Sequence, residues 1–238
     1  MSHPSTFQYE KDFEIGSFQV HPDGKTRLSS VADLFQEISW RHADSADFGR
    51  NLFEENKMWV LSRMDFHCFE FPSWGDRVKV YTAGRGVEKL FAFREFLMTD
   101  LEGKVLVQCM TSYLLLNIDS KRPVRPETAL PGHLFDPLEK PEWQSEKVEV
   151  GGELLFTESR KVRYSDLDLY DHVNNTSYIQ WVENLLKEQN LSYSNLLINF
   201  QAECKQGDLV TLQVLEKEDS FVFEGKVEGK IVFLAEAY

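Results

Sequence analysis

Between Ser165 and Thr176 the chain reads SDLDLYDHVNNT, which places Asp166, Asp168, Asp171, His172, Asn174, Asn175 and Thr176 in one short stretch. An alternating, strand-like run containing Val162 and Tyr164 precedes it, and an apolar helical pattern follows it. The polar stretch therefore belongs to a strand-to-helix junction. Amides in the first turn of a helix lack backbone partners and carry partial positive charge. They can stabilise the negative charge that develops on an attacked carbonyl oxygen. A carboxylate beside them can activate a water molecule against that carbonyl. The same residue types also cap helices, and a lone His172 equally suits a structural hydrogen bond. Residue types alone leave both readings open.

The elements that must position this stretch follow from periodicity. Tyr178, Trp181, Val182, Leu185 and Leu186 form an apolar stripe at helical spacing, with Glu183 and Lys187 as an i,i+4 pair on the other side. An earlier stripe, Val31, Leu34, Phe35 and Ile38, predicts a second helix with Ser29 or Ser30 as its N-cap. A weak internal repeat links the two regions. FHCFEFPSWGDRVKVYTA at 66–83 parallels INFQAECKQGDLVTLQVL at 198–215, and GKVLVQCMTSY at 103–113 parallels GKIVFLAEAY at 229–238. Each match has an apolar run, a Gly-Asp or Glu-Gly turn and an alternating strand. Gly75 and Gly207 are placed in turns that need positive φ. Further strands are expected at Leu90–Thr99 and Ser220–Val227. Each half thus reads as a strand, a helix and several antiparallel strands, an α+β pattern that buries one helix against a sheet. Lys121 to Val150 contains Pro123, Pro126, Pro131, Gly132, Pro137 and Pro141, and predicts an irregular connection. The organisation expected is residues 1–125 as a first unit, 126–150 as a linker and 151–238 as a second unit.

Composition narrows the function class. A chain of 238 residues with 42% hydrophobic content and 18 Phe can build a sizeable core. The formal net charge of −13 argues against broad nucleic-acid binding and against adhesion to anionic membranes. Two local basic groups stand out, Arg160, Lys161 and Arg163, and Lys121, Arg122 and Arg125. Cys68, Cys109 and Cys204 form no disulfide framework and suit a reducing compartment. The N-terminal stretch has no signal-like apolar core, and no run is long enough to span a bilayer, so a soluble, cytoplasmic protein is expected. His67-Cys68 lacks a second ligand pair at zinc spacing. Gly84-Arg85-Gly86 lacks the spacing of a phosphate loop.

The segment with Ser165, Asp166, Leu167, Asp168, His172, Val173, Asn174, Asn175, Tyr178 and Ile179 resembles the second-half motif of the acyl-ACP (acyl carrier protein) thioesterases, a double-hotdog family. Trp59-Val60-Leu61-Ser62-Arg63-Met64, the turn Pro72-Ser73-Trp74-Gly75-Asp76 and the pair Glu203-Cys204 are similar to further family motifs, in the right order from about Phe7 to Tyr238. The resemblance implies two tandem hotdog units, each a long helix wrapped by a curved antiparallel sheet. It implies a thiolester hydrolase of fatty acid biosynthesis that releases free fatty acid from acyl-ACP, with the carrier protein as partner and no metal or redox cofactor. Asp168 and His172 match the family's catalytic Asp and His, and Glu203 and Cys204 its acidic and cysteine positions. One position departs: Tyr170 stands where the family usually has Asn.

On this reading Glu203 or Asp168 activates water, His172 hydrogen-bonds within the site, and amides near Val173, Asn174 and Asn175 hold the oxyanion. The rival is a Cys204–His172 nucleophilic route through an acyl-enzyme. Within the first unit, Val31, Leu34, Phe35, Trp59, Leu61, Met64, Leu90 and Phe91 are core or acyl-tunnel residues. Two other functions stay open: an acyl-CoA thioesterase, and a catalytically weak acyl-binding protein. So does pairing of two chains into a homodimer.

Overall fold

Residues 4–46, 48–130 and 143–238 are described by a computed structural model. Contacts divide the chain into two units, Met1–Ser62 with Phe66–Ser145, and Arg63–Asp65 with Glu146–Tyr238. The first contains β1 (Tyr9–Glu14), α1 (Leu28–Ser45), β2 (Lys57–Cys68), β3 (Arg77–Glu88), β4 (Phe91–Thr99), β5 (Val105–Asn117), β6 (Pro123–Val124) and the single turn α2 (Pro126–Ala129). The second contains β7 (Glu153–Lys161), α3 (Asn175–Glu188), β8 (Asn195–Phe200), β9 (Leu209–Glu216), β10 (Phe221–Val227) and β11 (Lys230–Ala237). Strand order is β1-β3-β4-β5-β2 in the first and β7-β9-β10-β11-β8 in the second. The two orders are the same topology, and the ladders are antiparallel. Each unit is a hotdog, with one long helix against an antiparallel sheet.

Aromatic rings fix each helix to its sheet. In α1, Phe35 stacks on Phe66 of β2 at 6.2 Å and on Phe96 of β4 at 4.9 Å. In α3, Tyr178 lies 5.1 Å from Phe233 of β11, 5.9 Å from Phe200 of β8 and 5.0 Å from Trp181. Such ring pairs add to the area that they bury. The apolar stripes expected from periodicity are the buried faces: Val31, Phe35, Ile38, Trp181, Val182 and Leu186 are fully buried.

The turns follow the repeat. Gly75 has φ +86° and Gly207 φ +92°. In each turn the next residue, an aspartate, accepts a backbone N–H through Oδ2, at 2.7 Å from Ser73 to Asp76 and at 2.8 Å from Lys205 to Asp208. Glu228 and Gly229, with φ +50° and +80°, close the β10–β11 hairpin with the left-handed pair that suits right-twisted strands.

Several expectations are corrected. Helix α1 starts at Leu28 with Arg27 as N-cap, and Ser29 and Ser30 lie buried in its first turn. Backbone bonds from Thr26 to Pro72 (2.8 Å) and from Arg27 to Gln19 (2.9 Å) pin the chain just before Leu28, so tertiary contacts set the helix start. Glu183 is buried at 2% exposure, so it is not on a solvent face. Leu90 belongs to the β3–β4 turn, because Lys89 has φ +59°. The proline-rich connection is anchored at its described ends. Leu130 packs with Leu52 and Leu115, and Val148 packs with Leu197, Val222 and Leu234. Pro131, Gly132, Pro137 and Pro141 lie outside the described residues.

One glycine supports the platform beneath α3. A Cβ on Gly225 of β10 would collide with the Phe233 ring, which Tyr178 packs against. Gly225→Ala is expected to lower stability by about 1–3 kcal/mol through overpacking. Urea unfolding checks this, with Phe233→Leu in the same chain expected to recover part of the loss.

Candidate active site

The loop between β7 and α3 is built by backbone bonds to the β8–β9 turn. Val162 donates to Asp208 O at 2.9 Å and accepts from Gly207 N at 3.1 Å. Arg163 N donates to Asp166 Oδ2 at 2.7 Å. Asp166, only 6% exposed, accepts Asn174 N (2.8 Å) and Ser177 Oγ (3.0 Å) on its backbone oxygen. Val173 N donates to Cys204 O at 2.9 Å. Asn174 caps α3, its Oδ1 accepting from Thr176 N at 3.2 Å.

Inside this frame Asp168 folds the loop tip. Its Oδ1 accepts Tyr170 N at 2.8 Å and lies 3.4 Å from His172 N, while its own N–H donates to His172 O at 2.8 Å. Asp171 sits at the corner with φ +59°. The result aims His172 outward, its Nε2 3.3 Å from Glu203 Oε2. Both side chains are accessible, His172 at 25% and Glu203 at 51% exposure. A carboxylate and an imidazole at this range, open to water, can take and return a proton.

The first unit contains the same loop without the chemistry. Ile15 donates to Asp76 O at 2.9 Å and accepts from Gly75 N at 2.9 Å, as Val162 does with Asp208 and Gly207. Gln19 Oε1 accepts Gly16 N at 2.9 Å, as Asp166 accepts Arg163 N. Thr26 N donates to Pro72 O at 2.8 Å, as Val173 donates to Cys204 O. His21 N donates to Lys25 O at 2.8 Å, as Asp168 donates to His172 O. The two copies therefore share a backbone frame and differ at chosen side chains. His21 replaces Asp168, Lys25 replaces His172, Phe71 replaces Glu203 and Pro72 replaces Cys204. Gly24, with φ +81°, stands at the corner that Asp171 occupies. The backbone frame recurs without these side chains; at the loop tip Asp23 Oδ1 accepts Lys25 N at 2.9 Å in the first unit, where Asp168 Oδ1 faces His172 N in the second, so His172 and Glu203 are the positions that holding the loop leaves available for chemistry.

Among the expected oxyanion donors, the amides of Val173 and Asn174 are engaged by Cys204 O and Asp166 O. The Asn175 N–H, in the first turn of α3, has no partner among the described residues. Tyr170 contributes its amide to Asp168, and its side chain is exposed at 42%. Cys204 is fully buried. Burial pushes its thiol pKa up, and the neighbouring Tyr178 hydroxyl is raised by burial as well. Asp166 was not singled out from the sequence as a site residue. Aligning Ile15–Val20 with Val162–Leu167 reveals it, because Gln19 and Asp166 then share a position.

Residues 6–129 match the acyl-ACP thioesterase N-terminal domain, and residues 153–231 match the acyl-ACP thioesterase C-terminal domain. The chain belongs to the acyl-ACP thioesterase family. It is 25% identical over 229 residues to oleoyl-acyl carrier protein thioesterase 1, chloroplastic, of Arabidopsis thaliana, covering 85% of this chain and 62% of that protein. It is 23% identical over 219 residues to dodecanoyl-[acyl-carrier-protein] hydrolase, chloroplastic, of Cinnamomum camphora, covering 84% and 57%. The chain thus spans about three-fifths of the length of these curated relatives. A crystal structure of an acyl-ACP thioesterase from Bacteroides thetaiotaomicron matches with a TM-score of 0.83 and 25% identity, over 100% of this chain and 99% of that one. The 12:0-ACP thioesterase from Umbellularia californica shares the fold with a TM-score of 0.83 at 23% identity, over 96% and 95%. The Asp168 loop and Glu203 belong to the unit that matches the C-terminal domain.

The thiols give a direct check. Cys68, Cys109 and Cys204 are at most 8% exposed. The folded protein is expected to react with a thiol-specific disulfide reagent far more slowly than the urea-unfolded chain. One rapidly modified thiol whose loss stops hydrolysis would identify a cysteine nucleophile.

Proposed function

We propose that this protein hydrolyses fatty acyl thioesters of acyl carrier protein to free fatty acid and carrier thiol. The observation that carries the reading is the His172–Glu203 pair, 3.3 Å apart and open to water, in a chain of this family. Glu203, oriented by His172, takes a proton from water, and the hydroxide attacks the thioester carbonyl. The Asn175 amide at the head of α3 is the donor available to the developing oxyanion. Collapse breaks the carbon–sulfur bond, and the proton held by the pair returns to the departing thiolate. Asp168 holds the loop that aims His172, through the two amides facing its Oδ1.

Water is favoured over Cys204 as nucleophile on two grounds. The thiol is fully buried, and burial disfavours the thiolate that attack requires. In addition, the frame uses the Cys204 carbonyl, as the first unit uses the carbonyl of Pro72. No helix among the described residues is long and apolar enough to cross a membrane. The buried free thiols support a reducing compartment, and we assign the protein to the cytoplasm.

Three variants test the roles. Glu203→Gln is expected to lower kcat by about 10²-fold or more, the usual contribution of a general base. Asp168→Asn keeps an Oδ1 acceptor for the loop and is expected to lose less than Glu203→Gln. Cys204→Ala is expected to retain most of the activity. Hydrolysis of acyl-ACP, followed by thiol release, measures all three. Loss in folded Cys204→Ala equal to that in Glu203→Gln would replace the water route with an acyl-enzyme.

A further inference from the structure

The basic group Arg160, Lys161 and Arg163 has no part in the chemistry above, yet two of its members flank the catalytic loop. We infer that Lys161, Arg163 and Lys205, with Tyr164, Leu169 and Leu209, form the docking surface for an acidic protein that presents the acyl thioester. The inference rests on the proposed hydrolysis of carrier-bound thioesters.

Backbone bonds bring these residues together. Lys161 is the register partner of Leu209, and the intervening Val162 is bonded to Gly207 and Asp208 in the turn that carries Lys205. Arg163 and Tyr164 follow directly, and Leu169 is the tip between Asp168 and His172. Tyr164 is 78% exposed, Leu169 97% and Leu209 58%, and the three cations are exposed. Large apolar side chains left this bare around a reactive pair are contact residues awaiting a partner.

The charges are arranged to attract anions. None of the three cations has an ion pair among the described residues, whereas Lys57, Lys79, Lys104 and Lys217 each face a carboxylate. Four nearby carboxylates are directed elsewhere, and Asp171 at the exposed loop corner is the one acid left beside the three cations on this loop. Asp166 faces Arg163 N, Asp168 the loop amides, Asp208 Lys205 N, and Glu203 His172.

The first unit supplies an internal control. At the positions of Lys161, Arg163 and Lys205 it has Glu14, Gly16 and Ser73 in the same backbone frame. The fold therefore does not require the cations; they accompany the copy that carries Glu203 and His172. A thioester on a narrow arm must reach Glu203 while the body of its carrier rests on the surrounding surface. With a net charge of −13, the molecule as a whole repels an acidic partner, so local cations are needed to orient one. The same net charge disfavours an anionic bilayer, which would meet far more of the surface than this patch.

The test is the triple charge reversal Lys161→Glu/Arg163→Glu/Lys205→Glu, assayed on acyl-ACP and on the same acyl group linked to free pantetheine. The expected result is a fall of about tenfold or more in kcat/KM for acyl-ACP, through KM, with pantetheine thioester hydrolysis unchanged. Added salt should slow the wild type on acyl-ACP alone. Equal loss on both substrates, or no loss on either, overturns the docking surface. Binding of ACP carrying a non-hydrolysable acyl analogue is measured in parallel. Wild-type binding that the variant loses, without turnover of any thioester, would sink the hydrolytic reading and leave the docking surface standing. Pantetheine thioester turnover with no loss of ACP binding in the variant would do the reverse. Binding of the wild type, and not the variant, to phosphatidylglycerol vesicles would reassign the patch to a membrane.

Discussion

The hydrogen bond from Val173 N to Cys204 O, 2.9 Å long, is the contact on which the site depends. It ties the end of the β7–α3 loop to the β8–β9 connection, two stretches distant in sequence. Because it joins backbone to backbone, it fixes the position of Glu203 one residue away without constraining which side chains stand there. The matching bond from Thr26 N to Pro72 O shows the same fastening at work where no reactive group is present. Placement of this loop is thus a property of the fold, and the chemistry we propose for it rests on a few substitutions.

This separation explains the contrast between the neighbours Glu203 and Cys204. In the β8–β9 connection Glu203 is turned to water and Cys204 to the core. Cys204 meets Tyr178 in the interior, where a neutral thiol is a small apolar group. Glu203 meets His172 at the surface, open to water. Two adjacent residues that stand for rival routes, a base for water and a thiol nucleophile, differ in their access to solvent.

Much of the architecture was legible in the sequence. The paired Gly-Asp turns, the two apolar stripes and the strand-like repeats each have a local physical signature, and each became an element. The start of α1 was not legible, because the bonds from Thr26 to Pro72 and from Arg27 to Gln19 are tertiary and override the capping preference of Ser29 and Ser30. The buried Glu183 was misplaced for a related reason: a charged residue at helical spacing from Lys187 looks solvent-facing until its neighbours are known. At the site, Asp168, His172 and Glu203 were identified through a family resemblance, while the engagement of the Val173 and Asn174 amides needed coordinates. The duplication of the whole loop was hidden because its copies share hydrogen bonds and almost no side chains.

The two corners of the duplicated loop carry unequal strain. Gly24 enters the left-handed region freely, whereas Asp171 holds φ +59° with a Cβ, a conformation disfavoured by about 1–2 kcal/mol for most residues and eased for aspartate. The reactive copy is therefore the more tightly sprung of the two. A glycine at position 171 would relieve that corner, as Gly24 already does in the first unit.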